Sequence, residues 1–197
     1  MPPQFLLLLI YPGQRVAKPE NYGIIIFVNI LKGLTCMWQE QNYPEDKNEL
    51  YDLLSAQLAA LMEGERDSLP NMANMSALLF DALRDVNWAG FYLMKDGMLV
   101  LGPFQGKPAC IRIPVGRGVC GTAAKTLETQ LVYDVHQFPG HIACDGASNS
   151  EIVIPLIKGE RLIGVLDIDS PVVGRFDPND RQGLEKLACQ LTEGCDW

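Results

Sequence analysis

The chain has 197 residues, a length for one folded domain or for one domain with an appendage. With 48% hydrophobic and 20% charged residues it can bury a core as an ordinary globular protein does. Its formal net charge of -8 and the absence of any Lys/Arg run exclude the basic footprint that nucleic acid or an anionic membrane surface requires.

The first segment, "MPPQFLLLLIYPGQ", carries an apolar run but no positive flank, since the first basic residue is Arg15. "GIIIFVNILKGL" is too short and too interrupted to span a bilayer. Residues 1–36 combine two apolar patches with scattered Pro and Gly and no clear period. They are expected to be an extension outside the domain, which then covers 37–197; a packed strand pair is the alternative. The absence of a secretory pattern places the protein in the cytoplasm, with its six cysteines (Cys36, Cys110, Cys120, Cys144, Cys189, Cys195) largely reduced.

From Met37 the pattern becomes regular. "NELYDLLSAQLAALMEGE" sets Leu50, Leu53, Leu54, Leu58, Leu61 and Met62 on one helical stripe. "LPNMANMSALLFDALRDV" predicts a second helix with Met72, Met75, Leu79, Leu83 and Val86 turned inward, the methionines as core filler. The period then shortens. "WAGFYLM" and "MLVLGPF" are strands joined at Lys95-Asp96-Gly97, and "CIRIPV" is a third. A short helix over "CGTAAKTLE" leads to the strand "QLVYDV". A loop rich in Pro, Gly, His and Cys precedes a second hairpin, "EIVIPLIKGERLIGVLDIDSP", turning at Lys158-Gly159-Glu160. "DPNDRQGLEKLACQL" is the closing helix, with Leu184, Leu187 and Leu191 on one face. Short hairpin connections demand antiparallel pairing. The expectation is therefore an α+β fold, one antiparallel sheet of about six strands with helices packed mainly on one face.

Three thiols, Cys110, Cys120 and Cys144, fall close together in sequence. Their spacings are unlike the two to four residues of a zinc knuckle, so no metal site is expected; a three-thiolate or thiolate–imidazole zinc site, with His136 and His141 flanking the same loop, is the alternative. Cys189, beside Leu187 and Leu191, reads as a small buried hydrophobe; Cys36 and Cys195 lie in terminal segments and receive no role. Cys144 sits in a polar loop where packing asks for no thiol. Cys120 lies at a helix start, where free N–H groups and the helix dipole lower a thiol's pKa. One thiol that attacks and another that resolves is the economical use of such a set.

Asp167 and Asp169 are two apart on a strand and share a face, while Leu166 and Ile168 share the other. Glu151, at the start of the partner strand, converges on the same place. Buried like charges need a cation or a proton among them; the alternative is a strand end with solvated acids. Trp88 and Tyr92 are four apart on their strand and share a face, either as a core pair or as an apolar wall for a ligand.

"NWAGFYL", "GPFQGKPACIRIPVGRGVCGTAA", "VYDVHQFPGHIACDGASNSEIVIPL" and "GVLDIDSP" together resemble the free methionine-(R)-sulfoxide reductases, stand-alone GAF-domain enzymes, over about residues 37–191. The resemblance implies a homodimer and a six-stranded antiparallel sheet. It implies reduction of free, not peptide-bound, methionine R-sulfoxide, with no bound cofactor and with thioredoxin as external reductant. It makes Cys144 the attacking thiol and Cys110 the resolving one, with Cys120 either a second resolving partner or the attacker itself. The substrate-binding acids fall on Glu151, Asp167 and Asp169 and extend to Asp134, and Trp88 and Tyr92 hold the methyl end. The rival reading is a GAF module that binds a small molecule or senses redox state; a nucleotide phosphate, however, needs cationic groups where this chain offers carboxylates.

Overall fold

A computed structural model describes residues 42–142 and 145–197, together with the backbone of 26–30 and 33–37. The chain divides into two units, 1–45 and 46–197. In the first, β1 (Ile26–Ile30) and β2 (Gly33–Met37) pair antiparallel, with Ile26 opposite Met37 and Ile30 opposite Gly33. A strand pair was the alternative reading of this stretch, and β1 and β2 form one.

The second unit starts with two helices whose first turns are closed by aspartates. Asp46 accepts from the amides of Asn48 and Glu49 ahead of α1 (Lys47–Leu61), and Asp67 accepts from that of Leu69 ahead of α2 (Ser68–Ala82). Of the expected stripes, Leu50, Leu54, Leu58, Met72, Met75, Leu79 and Leu83 are buried, whereas Leu53, Leu61, Met62 and Val86 are half-buried at the margins.

Six strands follow among the described residues: β3 (Trp88–Lys95), β4 (Met98–Gly106), β5 (Arg112–Pro114), β6 (Gln130–Val132), β7 (Ser150–Lys158) and β8 (Arg161–Ser170). They form one antiparallel sheet in the order β5-β4-β3-β8-β7-β6. The first hairpin turns through Asp96 and Gly97, both at positive φ (53° and 77°), the pairing that suits a tight hairpin. Two strands are shorter than the sequence suggests. "CIRIPV" pairs regularly only over β5, and "QLVYDV" ends at Val132, because the Asp134 side chain caps the 3-10 turn that follows, from Val135 to Gln137.

Helices α2 and α4 (Pro178–Gly194) pack on one face of this sheet, with α1 against α2 and α4; α3 (Gly118–Thr126) packs against β5, β6, β7 and β8. Strand alternation divides the side chains between the faces. Phe91, Ile152, Leu166 and Ile168 are fully buried on one. Trp88, Tyr92, Val153 and Val165 join Val119, Cys120, Ala123 and Ala124 of α3 on the other. Each fully buried large side chain stabilises the fold by about 2 kcal/mol relative to exposure.

Helix α4 begins with a capping box between Asp177 and Asp180, with Pro178 in its first turn. Asp180, 1% exposed, also receives Tyr51 Oη (2.8 Å), Lys47 Nζ (2.5 Å) and Arg175 Nη1 (3.2 Å). The buried charge is thereby paired and fully hydrogen-bonded, and it fastens α1 to the start of α4. No helix among the described residues is long and apolar enough to cross a membrane.

Candidate active site

The site lies on the α3 face, at the end of the sheet where β3, β8 and β7 run side by side. Antiparallel register places Trp88 opposite Asp169 and Gly90 opposite Asp167 on one side of β8. On the other side it places Glu151 opposite Asp169 and Val153 opposite Asp167. Three carboxylates therefore converge because directly opposite residues share a face: Glu151 pairs with Asp169, and Asp167 lies two residues from Asp169 on the same strand. Glu151 and Asp167 are each 6% exposed, so the solvated strand end is not what forms.

A cleft of about 370 Å³, counting its open mouth, is bounded by Glu151, Asp167 and Asp169 on the sheet and Cys120 on α3. His141, Asp145 and Ser148 from the intervening loop complete that wall. Asp145, Asp167 and Asp169 also line an adjoining recess walled by Trp88, Tyr92 and Ala109. The Trp88 and Tyr92 rings stack at 5.8 Å between centroids, and Phe104 stacks behind Trp88 at 5.2 Å. Trp88 Nε1 donates to the Lys107 carbonyl at 3.2 Å, which holds the indole and the Cys110 segment together. The two aromatics are thus at once core residues and one wall of the recess.

The acids hold protons well above the usual carboxylate range. Burial is the first cause at Glu151, followed by the charges of Asp167 and Asp169; at Asp169 burial is followed by Asp167 and Asp145. Burial pushes Asp167 up to about 6, against hydrogen bonds with Cys120 and Glu151 that lower it. Asp167 Oδ1 is buried and accepts no hydrogen bond. Such a group is stabilised by whatever donor or cation enters the cleft.

Cys120 corrects the expectation from its position. It does lie in the first turn of α3, but its thiol is pushed up, first by burial and then by Asp167 and Glu151. A helix dipole is worth only about 0.3–1 kcal/mol, too little to oppose burial beside two carboxylates. Cys120 is a protonated thiol, with Sγ 3.9 Å from Glu151 Oε1.

Cys110 is half-buried in the 107–111 segment between β4 and β5. Cys144 lies outside the described residues. Asp134 lines neither the cleft nor the recess: it caps the 3-10 turn through His136 N and receives Gln137 Nε2 at 2.8 Å. Cys189 is exposed, not a core residue, because it follows Ala188 on the outward side of α4; Cys195 is the buried thiol of that region, receiving Asn71 Nδ2 at 3.3 Å. Asp145 and Ser148 were not singled out from the sequence, and His141 was weighed only as an imidazole for the alternative zinc site. Their signal was position alone, in the same Gly-rich loop as Cys144.

Cys120, Glu151 and Asp167 present one donor atom each within 4.8 Å of one another, and His141 Nε2 lies 3.9 Å from Glu151 Oε2. The arrangement can bind a small cation and can supply a proton, since burial raises the proton affinity of all three acids.

The GAF domain model matches residues 71–193. The free methionine-R-sulfoxide reductase of Escherichia coli K12 is 60% identical over 146 residues, covering 74% of this chain and 88% of that protein. Among solved structures, fRMsr of Staphylococcus aureus in its reduced form is 53% identical with a TM-score of 0.72, over 74% of this chain and 95% of that one. The free methionine-R-sulfoxide reductase of Neisseria meningitidis, in complex with its substrate, is 43% identical with a TM-score of 0.76, over 80% and 95%.

Proposed function

The chain belongs to the free methionine-R-sulfoxide reductases, a family of GAF-domain enzymes, and from that premise we propose how this cleft reduces free methionine-R-sulfoxide. The observation that carries the reading is the convergence of Glu151, Asp167 and Asp169 beside the Trp88–Tyr92 wall. The acids receive the substrate ammonium, and the aromatic recess receives the methyl end. This orientation leaves the sulfoxide oxygen within reach of a protonated acid.

Cys144 attacks the sulfoxide sulfur as a thiolate. The oxygen is protonated by a cleft acid, methionine leaves, and the cysteine carries the oxygen as sulfenic acid. Cys110 then condenses with the sulfenic acid, releasing water and forming an intramolecular disulfide. Thioredoxin reduces that disulfide by exchange. The protonated state of Cys120 supports Cys144 as the attacker, because a thiolate is the nucleophilic form. The working unit is a cytoplasmic homodimer, and residues 1–36 are dispensable for the chemistry.

A turnover assay coupled to thioredoxin tests the reading, using both epimers of free methionine sulfoxide and a peptide-bound control. Methionine is expected from the free R epimer alone. Binding of a ligand without product would return the protein to a sensor module, and equal rates on the peptide would refute the ammonium site.

A further inference from the structure

We infer that Cys120, Glu151 and Asp167, with His141 beside them, form a binding site for a thiophilic divalent cation of the zinc or cadmium type, and that such an ion excludes substrate from the cleft. The exclusion rests on the reading above; the binding does not.

The three donor atoms already lie within 4.8 Å of one another. Cys120 Sγ is 3.9 Å from Glu151 Oε1, and the second oxygen of Glu151 is 3.9 Å from His141 Nε2. Around a tetrahedral zinc ion, sulfur and oxygen ligands stand about 3.6 Å apart, given bond lengths of roughly 2.3 and 2.1 Å. The longest separation therefore needs to contract by up to about 1.2 Å, within side-chain adjustment. Asp167 Oδ1 is a second, independent indication. It belongs to a residue 6% exposed, lines the cleft and has no hydrogen-bond partner. A metal–oxygen bond would satisfy it.

The ligand chemistry selects the ion. Thiolate, carboxylate and imidazole together suit zinc or cadmium, whereas magnesium and calcium call for six or more oxygens. His141 Nε2, 3.9 Å from Glu151 Oε2, is the imidazole nitrogen closest at hand to complete the set. Binding exchanges the Cys120 S–H bond for a sulfur–metal bond and releases the proton to solvent, with no change of oxidation state. The ion then neutralises the same carboxylates that receive the substrate ammonium, so the two compete.

The test is a titration of the reduced full-length protein with Cd²⁺, followed by the thiolate-to-cadmium ultraviolet band and by proton release. One ion per chain is expected, and Cys120→Ser should lose the band and weaken binding at least about tenfold. Asp167→Asn, which keeps the side-chain shape, should also weaken it. Cys110→Ser and Cys144→Ser should keep it. Free methionine sulfoxide should raise the apparent Kd for Cd²⁺. A full band in Cys120→Ser, or equally tight binding of Mg²⁺, overturns the site. A Cys120-dependent band that substrate does not weaken overturns the competition, and a Cys120-dependent band in a protein without turnover sinks the reductase reading while the metal site stands.

Discussion

Lys107 Nζ lies 3.2 Å from Asp145 Oδ2, and this ion pair joins the segment that carries Cys110 to the residue directly after Cys144. Asp145 is held from other sides by Asn87 Nδ2 at 3.2 Å and by the Ala147 amide at 3.0 Å. The backbone amide is the leading reason that its carboxylate is held below the usual range, with Lys107 next. The pair ties together the two loops whose thiols are proposed to form the disulfide. Lys107→Met should slow disulfide formation by about two- to fivefold, as befits a partly exposed pair, with Lys107→Arg restoring it. The wild type should approach the variant at high salt. Quench-flow with intact-mass detection measures the step, and an unchanged rate would reduce the pair to a surface contact.

The order of the thiols is tested by single turnover without reductant. Cys144→Ser should release no methionine. Cys110→Ser should release about one per site and stall with an oxidised thiol. Cys120→Ser should retain its first turnover, since its thiol is the protonated one. A stoichiometric burst from Cys144→Ser, with none from Cys120→Ser, reverses the assignment.

Glu151→Gln and Asp169→Asn each remove a charge from the ammonium site and part of the proton supply. Each should lower kcat/KM by about 100-fold or more if general acid catalysis operates. Near-normal steady-state kinetics in both would leave the cluster without a catalytic part.

Asp167 gives a pH-dependent stability whose sign is fixed by burial. Its folded pKa, about 6, exceeds the unfolded value. The folded state therefore binds the proton more tightly, and stability is full below about pH 4 and lost as pH rises through 6. The native protein should forgo roughly 3 kcal/mol at pH 8 on this account. Asp167→Asn should raise Tm at pH 8 and leave it nearly unchanged at pH 4. A Tm difference independent of pH would mean that the carboxyl is not buried as a neutral acid.

Gly90 faces Asp167 across the β3–β8 pairing, and the close approach of Phe104 leaves no room for a side chain. A Cβ there would stand 2.8 Å from the Trp88 ring and collide with Phe104. Gly90→Ala should destabilise by about 1–3 kcal/mol through overpacking and, by tilting Trp88, raise KM. Denaturant unfolding and steady-state assays read the two effects; a normal value of both would show that the wall yields freely.

The alternation Leu166-Asp167-Ile168-Asp169 and the two short hairpin turns determined by themselves that the sheet is antiparallel and that two acids share a face, because strand periodicity and turn geometry are local properties. The motifs around Trp88, Cys110, Cys120, Cys144 and Glu151 were long enough to carry the family. Only tertiary structure decided what surrounds each group. Cys120 reads locally as a helix-start thiol inclined to ionise, and becomes a neutral one because β7 and β8 bring Glu151 and Asp167 against it. Asp134 reads as a fourth acid and is instead absorbed in capping its own turn. Cys189 sits between apolar neighbours in sequence, yet α4 turns it outward. Ionisation and burial depend on distances between strands far apart in the chain, and no local pattern encodes those distances.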